Sequence, residues 1–237
     1  MNFAITLKII ASLLAIYLLI VLYVYVKQRS LLYLPNIDNY EDENLNVAAE
    51  NIYIKNTDNI NLRSLYYEHP ANTKNTLLMF HGNAGPIENR FYKINKLSKY
   101  KQNILLISWR SYSGNEGNPT EEGLYDDARS AIKWLEDKDI NINDIIIYGE
   151  SLGTAVSIEV AQKASFKGII LEAPFTSMID AAKYHYPYLP VGIMLKDKYL
   201  SDKKIKNINS PILIMHAMGD DIAVSYTHLT LPTNQCV

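Results

Sequence analysis

Residues 9–26 read "IIASLLAIYLLIVLYVYV", an apolar run broken only by one serine and by tyrosines. At about 1.5 Å per residue it nearly crosses a hydrocarbon core of about 30 Å. Residues 3–7 extend it past Lys8, which can snorkel. The rest of the chain has a different rhythm, with short apolar runs alternating with segments of helical spacing. Strands are expected at 51–55, 62–68, 76–80, 103–108, 144–148, 168–172 and 211–215. Helices are expected at 87–99, at 120–137 with Thr120 as N-cap, and at 153–163. Apolar runs of five or six residues separated by helices predict an α/β fold, a mostly parallel sheet with helices on both faces.

The first run predicts an uncleaved anchor over residues 1–29. Tyr17, Tyr23 and Tyr25 lie toward one end, where interfacial aromatics sit. A cleaved signal peptide would need a shorter apolar region and small residues before the cut, and this run ends in "YVKQRS". Lys8 and the α-amino group stand on one side of the run, Lys27 and Arg29 on the other. The charges therefore set no orientation. The expected localisation is the membrane, single-pass.

Composition narrows the function classes. The 237 residues are 48% hydrophobic and 20% charged, with a formal net charge of -2. Nothing in that balance points to nucleic acid. Cys236 is the one cysteine, and the five histidines lack metal-ligand spacing, so no metal or other cofactor is expected. Composition and spacing leave the oligomeric state open.

Chemistry enters at "GESLG", residues 149–153, after the apolar run "DIIIY" and before a helical pattern. In a sharp strand-to-helix turn the two glycines allow close backbone packing, and the serine between them is strained and exposed. Ser151 is then a candidate nucleophile at a helix N-terminus that favours developing negative charge. "FHGNAG", residues 80–85, follows another strand. An acyl-transfer enzyme needs two N–H donors for its oxyanion, and Leu152 and Asn83 occupy the fitting positions. His81 in that loop is expected to be structural. The acid belongs after a later strand. Asp220 stands there in "PILIMHAMGDD", with Asp221 as the adjacent alternative.

With these stretches in place the chain resembles the membrane-anchored α/β-hydrolases grouped with the ABHD-type and serine-aminopeptidase-like proteins. The resemblance is carried by "QRSLLYLP" (28–35), "FHGNAG" (80–85), "NPTEEGLYDDA" (118–128) and "GESLGTAV" (149–156). It continues in "LEAPFTSMIDAA" (171–182), "YPYLPV" (186–191) and "SPILIMHAMGDDI" (210–222). It implies Ser151 as nucleophile, Asn83 and Leu152 as oxyanion donors and Asp220 as acid. It also implies a small-molecule or lipid acyl substrate (ester, thioester or amide). Ser111 and Ser113 replace glycines of the family's loop, and Ala217 replaces another.

The base is the larger departure. The family's histidine follows one more helix and strand after the acid, which need at least about 20 residues. Only 237 − 220 = 17 residues follow Asp220, and their one histidine is His228. Residues 225–237 resemble no part of the family. The expectation is therefore an α/β-hydrolase domain over 30–224 that lacks its last strand and helix, a foreign tail over 225–237, and a chain inactive as written. His228 swinging in as base is the alternative. A reading from another class is a non-catalytic, membrane-tethered interaction module on the same fold.

Overall fold

A computed structural model describes residues 3–35 and 44–216. The apolar run forms α1 (Phe3–Leu32), with a mean hydropathy of 2.7 over its most apolar window. It is long and apolar enough to cross a membrane, and no residue of its most apolar window is buried. The helix continues past residue 29, so its last turn belongs to the domain that follows.

That domain is built on a seven-stranded sheet in the order β1-β2-β4-β3-β5-β6-β7. The strands are β1 (Ala49–Lys55), β2 (Asn61–Tyr67), β3 (Thr76–Phe80), β4 (Asn103–Ile107), β5 (Ile145–Glu150), β6 (Gly168–Glu172) and β7 (Ile212–Met215). The first two run antiparallel at one edge, and β4 through β7 are parallel. β3 and β4 are buried along their whole length, as expected of strands covered on both faces. All seven expected strands are present, shifted by at most two residues at their ends.

The covering helices are α2 (Phe91–Leu97), α3 (Glu121–Glu136) and α4 (Leu152–Ala161). Thr120 caps α3, its hydroxyl accepting from Gly123 N–H at 2.9 Å. The segment expected as one helix over 87–99 is instead a 3₁₀ turn (Ile87–Arg90) followed by α2. The break falls at Arg90, whose backbone leaves helical angles while its guanidinium turns back onto the Ala84 carbonyl at 2.8 Å. Between β6 and β7 lie three short helices, α5 (Met178–His185), α6 (Val191–Met194) and α7 (Ser201–Lys204). They form a small insertion between these two strands, the cap.

One apolar cluster fills the α3–α4 side of the sheet, and a second lies under α2 on the other face. Both clusters include residues of β3 and β5, so these two strands are packed on both faces.

Candidate active site

β5 ends at Glu150 and α4 starts at Leu152, which leaves Ser151 as the whole turn. Its backbone sits at φ 50°, ψ -112°, a conformation that L-residues rarely adopt. Such strain persists only where neighbours fix it. Here Ser151 N–H donates to the Glu172 carbonyl at 2.9 Å, and Thr154 N–H returns to the Ser151 carbonyl at 2.9 Å. The flanking glycines make the turn possible. A Cβ on Gly149 would lie 2.7 Å from the Gly153 carbonyl oxygen and 2.4 Å from Ser157 Oγ. A Cβ on Gly153 would lie 2.0 Å from the Phe80 carbonyl oxygen.

The same close approach brings the loop after β3 to the serine. A Cβ at Gly82 would stand 3.4 Å from Ser151 Cβ. Asn83 is held from three directions. Its Nδ2 donates to the Leu32 carbonyl at 2.9 Å, and its own carbonyl accepts from Leu34 N–H and from Tyr112 Oη–H, each at 2.9 Å. Among the described residues, no acceptor takes the backbone N–H of Asn83 or of Leu152, and no histidine hydrogen-bonds Ser151. Asp220, Asp221 and His228 lie outside the described residues.

Tyr112 is itself fixed by the loop that starts at Arg110. The Arg110 guanidinium pairs with Asp127 at 2.8 Å and with Asp58 at 2.6 Å, and lies flat against Gly123 of α3. Ser111 and Ser113, which stand where the resemblance has glycines, both adopt positive φ, at 73° and 51°. The Ser113 hydroxyl accepts from Ile87 N–H at 3.0 Å, which offsets part of that strain.

His81 is structural in its contacts. It is 1% exposed, with Nδ1 2.7 Å from the Gly82 carbonyl and Nε2 accepting from Trp109 N–H at 3.4 Å. Both ring nitrogens are thus used by one neutral tautomer. Burial, aided by the nearby Arg90 charge, pushes its pKa down to about 3.

An ionic cluster beneath the turn was not anticipated from the sequence. Glu150 accepts from Arg90 and from Lys93, each at 2.7 Å, and Lys93 also pairs with Glu172, which receives Tyr148 Oη–H as well. Burial would raise the Glu150 pKa, but the Arg90 and Lys93 charges outweigh it and hold it at about 2. Both glutamates lie inside quoted stretches, "GESLG" and "LEAPF". Arg90 and Lys93 stand three apart, on one face of a helical turn, which is the one hint that they share a target.

These shifts set an acid limit. The His81 contribution is complete above its ordinary 6.5 and is lost as pH falls toward about 3, because only the unfolded chain takes the proton in that window. The Glu150 contribution is complete above its ordinary 4.5 and is lost toward about 2. Thermal unfolding should therefore begin to fall below about pH 6.5 and steepen below about 4.5. His81→Asn should flatten the upper part of that decline. A melting temperature constant from pH 6.5 to 4.5 would contradict the His81 assignment, and one constant below 4.5 would contradict that of Glu150.

Comparison with known proteins shows the family and the fold. The family model described as "Chlamydia CHLPS protein (DUF818)" matches residues 5–169. The uncharacterized protein Rv2307c of Mycobacterium tuberculosis is 31% identical over 206 residues, covering 86% of this chain and 73% of that protein. Lysophosphatidylserine lipase ABHD12 of Danio rerio is 30% identical over 180 residues, covering 68% of this chain and 46% of its own length. Among solved structures, the Pyrococcus furiosus esterase PF2001 has a TM-score of 0.68 at 16% identity, covering 83% of this chain and 80% of that one. An α/β-hydrolase from Vibrio vulnificus has a TM-score of 0.61 at 26% identity, covering 70% and 62%. The fold is the α/β-hydrolase fold, as the sequence led one to expect.

Proposed function

This chain belongs to the family described as Chlamydia CHLPS protein (DUF818), and from that membership and the geometry around Ser151 we propose that it is a membrane-tethered serine hydrolase of acyl esters. The observation that carries the proposal is the strained Ser151 backbone at the β5–α4 turn, with the Asn83 loop packed against it. A structural serine gains nothing from positive φ at this point, whereas a nucleophile gains exposure and a helix N-terminus behind it.

In the proposed mechanism Ser151 Oγ attacks the acyl carbon and its proton passes to a histidine oriented by Asp220. Leu152 and Asn83 N–H groups meet the oxyanion as it forms, from positions fixed before substrate arrives. The acyl-enzyme is then hydrolysed by water activated by the same histidine. α1 is the tether in this reading. The likeness to a lysophosphatidylserine lipase favours a lipid ester as substrate.

Two comparisons test the reading. The protein should hydrolyse a lysophospholipid or a short acyl ester, and turnover of neither would remove the reading. His228→Ala in residues 1–237, set beside protein that continues through the frame downstream of Val224, locates the base. Loss on substitution assigns His228, and a gain on extension assigns a later histidine.

The Asn83 side chain should matter less than its N–H. Asn83→Ala removes the bond to the Leu32 carbonyl, about 1 kcal/mol of positioning, but leaves the backbone donor in place. Turnover should fall about tenfold or less with KM little changed. A loss as large as that of the nucleophile would mean that Nδ2 itself meets the substrate.

A further inference from the structure

We propose that residues 186–195 of the cap enter one leaflet of the bilayer beside α1, a surface built for lipid. The inference rests on the reading of α1 as a membrane anchor. The segment reads "YPYLPVGIML", ten residues without a charge. Lys183 and His185 precede it, and Lys196, Asp197 and Lys198 follow.

Its depth follows from its contacts along α1. Arg29 pairs with Asp197 through two bonds, at 2.8 and 3.1 Å. Gln28 donates to the Met194 carbonyl at 3.1 Å and accepts from Lys196 N–H at 2.8 Å. One to two turns back, Val24 and Val21 pack against Leu189, Val191 and Met194. Deeper still, Tyr17 Oη–H donates to the Tyr188 carbonyl at 2.9 Å. From residue 28 to residue 17 is about 16 Å along a helix axis.

If residues 9–26 fill the hydrocarbon, Tyr188 lies about 14 Å inside its boundary, near the midplane. Sliding the helix so that the core begins at residue 3 and ends near residue 22 still leaves Tyr188 about 7 Å inside. Keeping Tyr188 out would end the span at residue 16. The remaining 14 residues reach about 21 Å, short of a core of about 30 Å. Leu18, Leu19 and Leu22 would then meet water at 55–65% exposure.

The surface of the segment agrees with that depth. Ile193 is 90% exposed, and Tyr186 and Tyr188 are at least half exposed. Clustered apolar exposure of this kind is costly in water and favourable in lipid. The backbone is also prepared for lipid, which tolerates few unpaired N–H groups. Pro187 and Pro190 have none, while Leu189, Val191, Ile193, Met194 and Leu195 donate to carbonyls within the segment. Where the segment leaves, Lys196 lies over the Tyr25 ring at 4.5 Å, at the level suited to headgroup phosphates. The cap springs from the end of β6, the strand whose Glu172 carbonyl holds Ser151.

Fluorescence quenching in vesicles tests the placement without reference to hydrolysis. Trp is introduced singly into the full chain at Ile193, at Leu18 of α1 and at Tyr53 of β1. The signal of the domain's own Trp109 and Trp134 is subtracted. In phosphatidylcholine brominated midway along its acyl chains, Ile193→Trp and Leu18→Trp should lose most of their fluorescence and Tyr53→Trp little. Tyr188→Trp should repeat the Ile193 result. If Leu18→Trp is quenched and both cap variants match Tyr53→Trp, the cap inference fails while the anchor stands. If none is quenched, anchor and cap inference fail together. Cap variants that escape quenching but show blue-shifted emission and self-association would give the surface to a second copy of the chain, which also overturns the proposal.

Discussion

Ser151→Ala should bring acyl-ester hydrolysis down to the residual catalysis that an oxyanion hole and substrate binding supply, about 10³–10⁴-fold over the reaction in water. The loss should appear in kcat, with substrate affinity largely kept. The two proposed donors are the backbone N–H groups of Leu152 and Asn83, and a side-chain truncation at 151 leaves both in place. Alanine at a positive φ keeps some local strain, so stability should change little. Asp220→Asn should cost about four orders of magnitude, as expected of an acid that fixes a histidine tautomer. Steady-state kinetics on one short acyl ester measure all of this. Full activity in Ser151→Ala would remove the hydrolase reading, and a large effect at Asp221 with none at Asp220 would move the acid by one residue.

Gly153→Ala should be among the most destabilising single substitutions in the molecule. The new methyl would lie 2.0 Å from the Phe80 carbonyl oxygen, 2.6 Å from its carbon and 2.9 Å from the His81 carbonyl oxygen. All three are backbone atoms. Phe80 ends β3, which is hydrogen-bonded on both sides, to β4 and to β5. Relief requires α4 to lift from the sheet or β3 to slide between its neighbours. Overpacking of this kind costs about 3 kcal/mol or more. It should also shift the His81–Asn83 loop, so activity should fall with stability. Gly192→Ala is the control, because its methyl would meet no atom within 4 Å. Urea midpoints in detergent give the comparison. Equal stability of the two variants would mean that α4 and β3 do not pack as described.

The legible part of the fold is the part where local pattern and burial agree. β3, β4, β5 and β6 are short apolar runs with punctuation at both ends, and such runs suit only a strand covered on two faces. Thr120 shows its capping role in the sequence, since a hydroxyl before two glutamates and an apolar stripe has few other uses. The turn at Ser151 was legible for the same reason, because two glycines around a serine after a strand leave few conformations.

What sequence left hidden depends on contacts between distant segments. The Leu32 and Leu34 clamp on Asn83 joins positions about fifty apart, and nothing local in "SLLYLP" names that target. The Arg90–Lys93–Glu150–Glu172 cluster draws on α2, β5 and β6 together. The broken helix at Arg90 follows from that long-range demand, since helical spacing by itself favours continuity. The immersion depth of the cap needed both the hydrophobic pattern of α1 and the Tyr17–Tyr188 bond, neither sufficient alone.

The central claim is that Ser151 is an activated nucleophile, and covalent labelling tests it most directly. Membranes carrying the protein would be treated with a fluorophosphonate and the adduct mapped by mass spectrometry. The expected result is a single adduct on the peptide containing "GESLG", absent in Ser151→Ala and slowed in Asp220→Asn. An unlabelled Ser151 in folded protein, or an adduct on another residue that persists in Ser151→Ala, would contradict the claim.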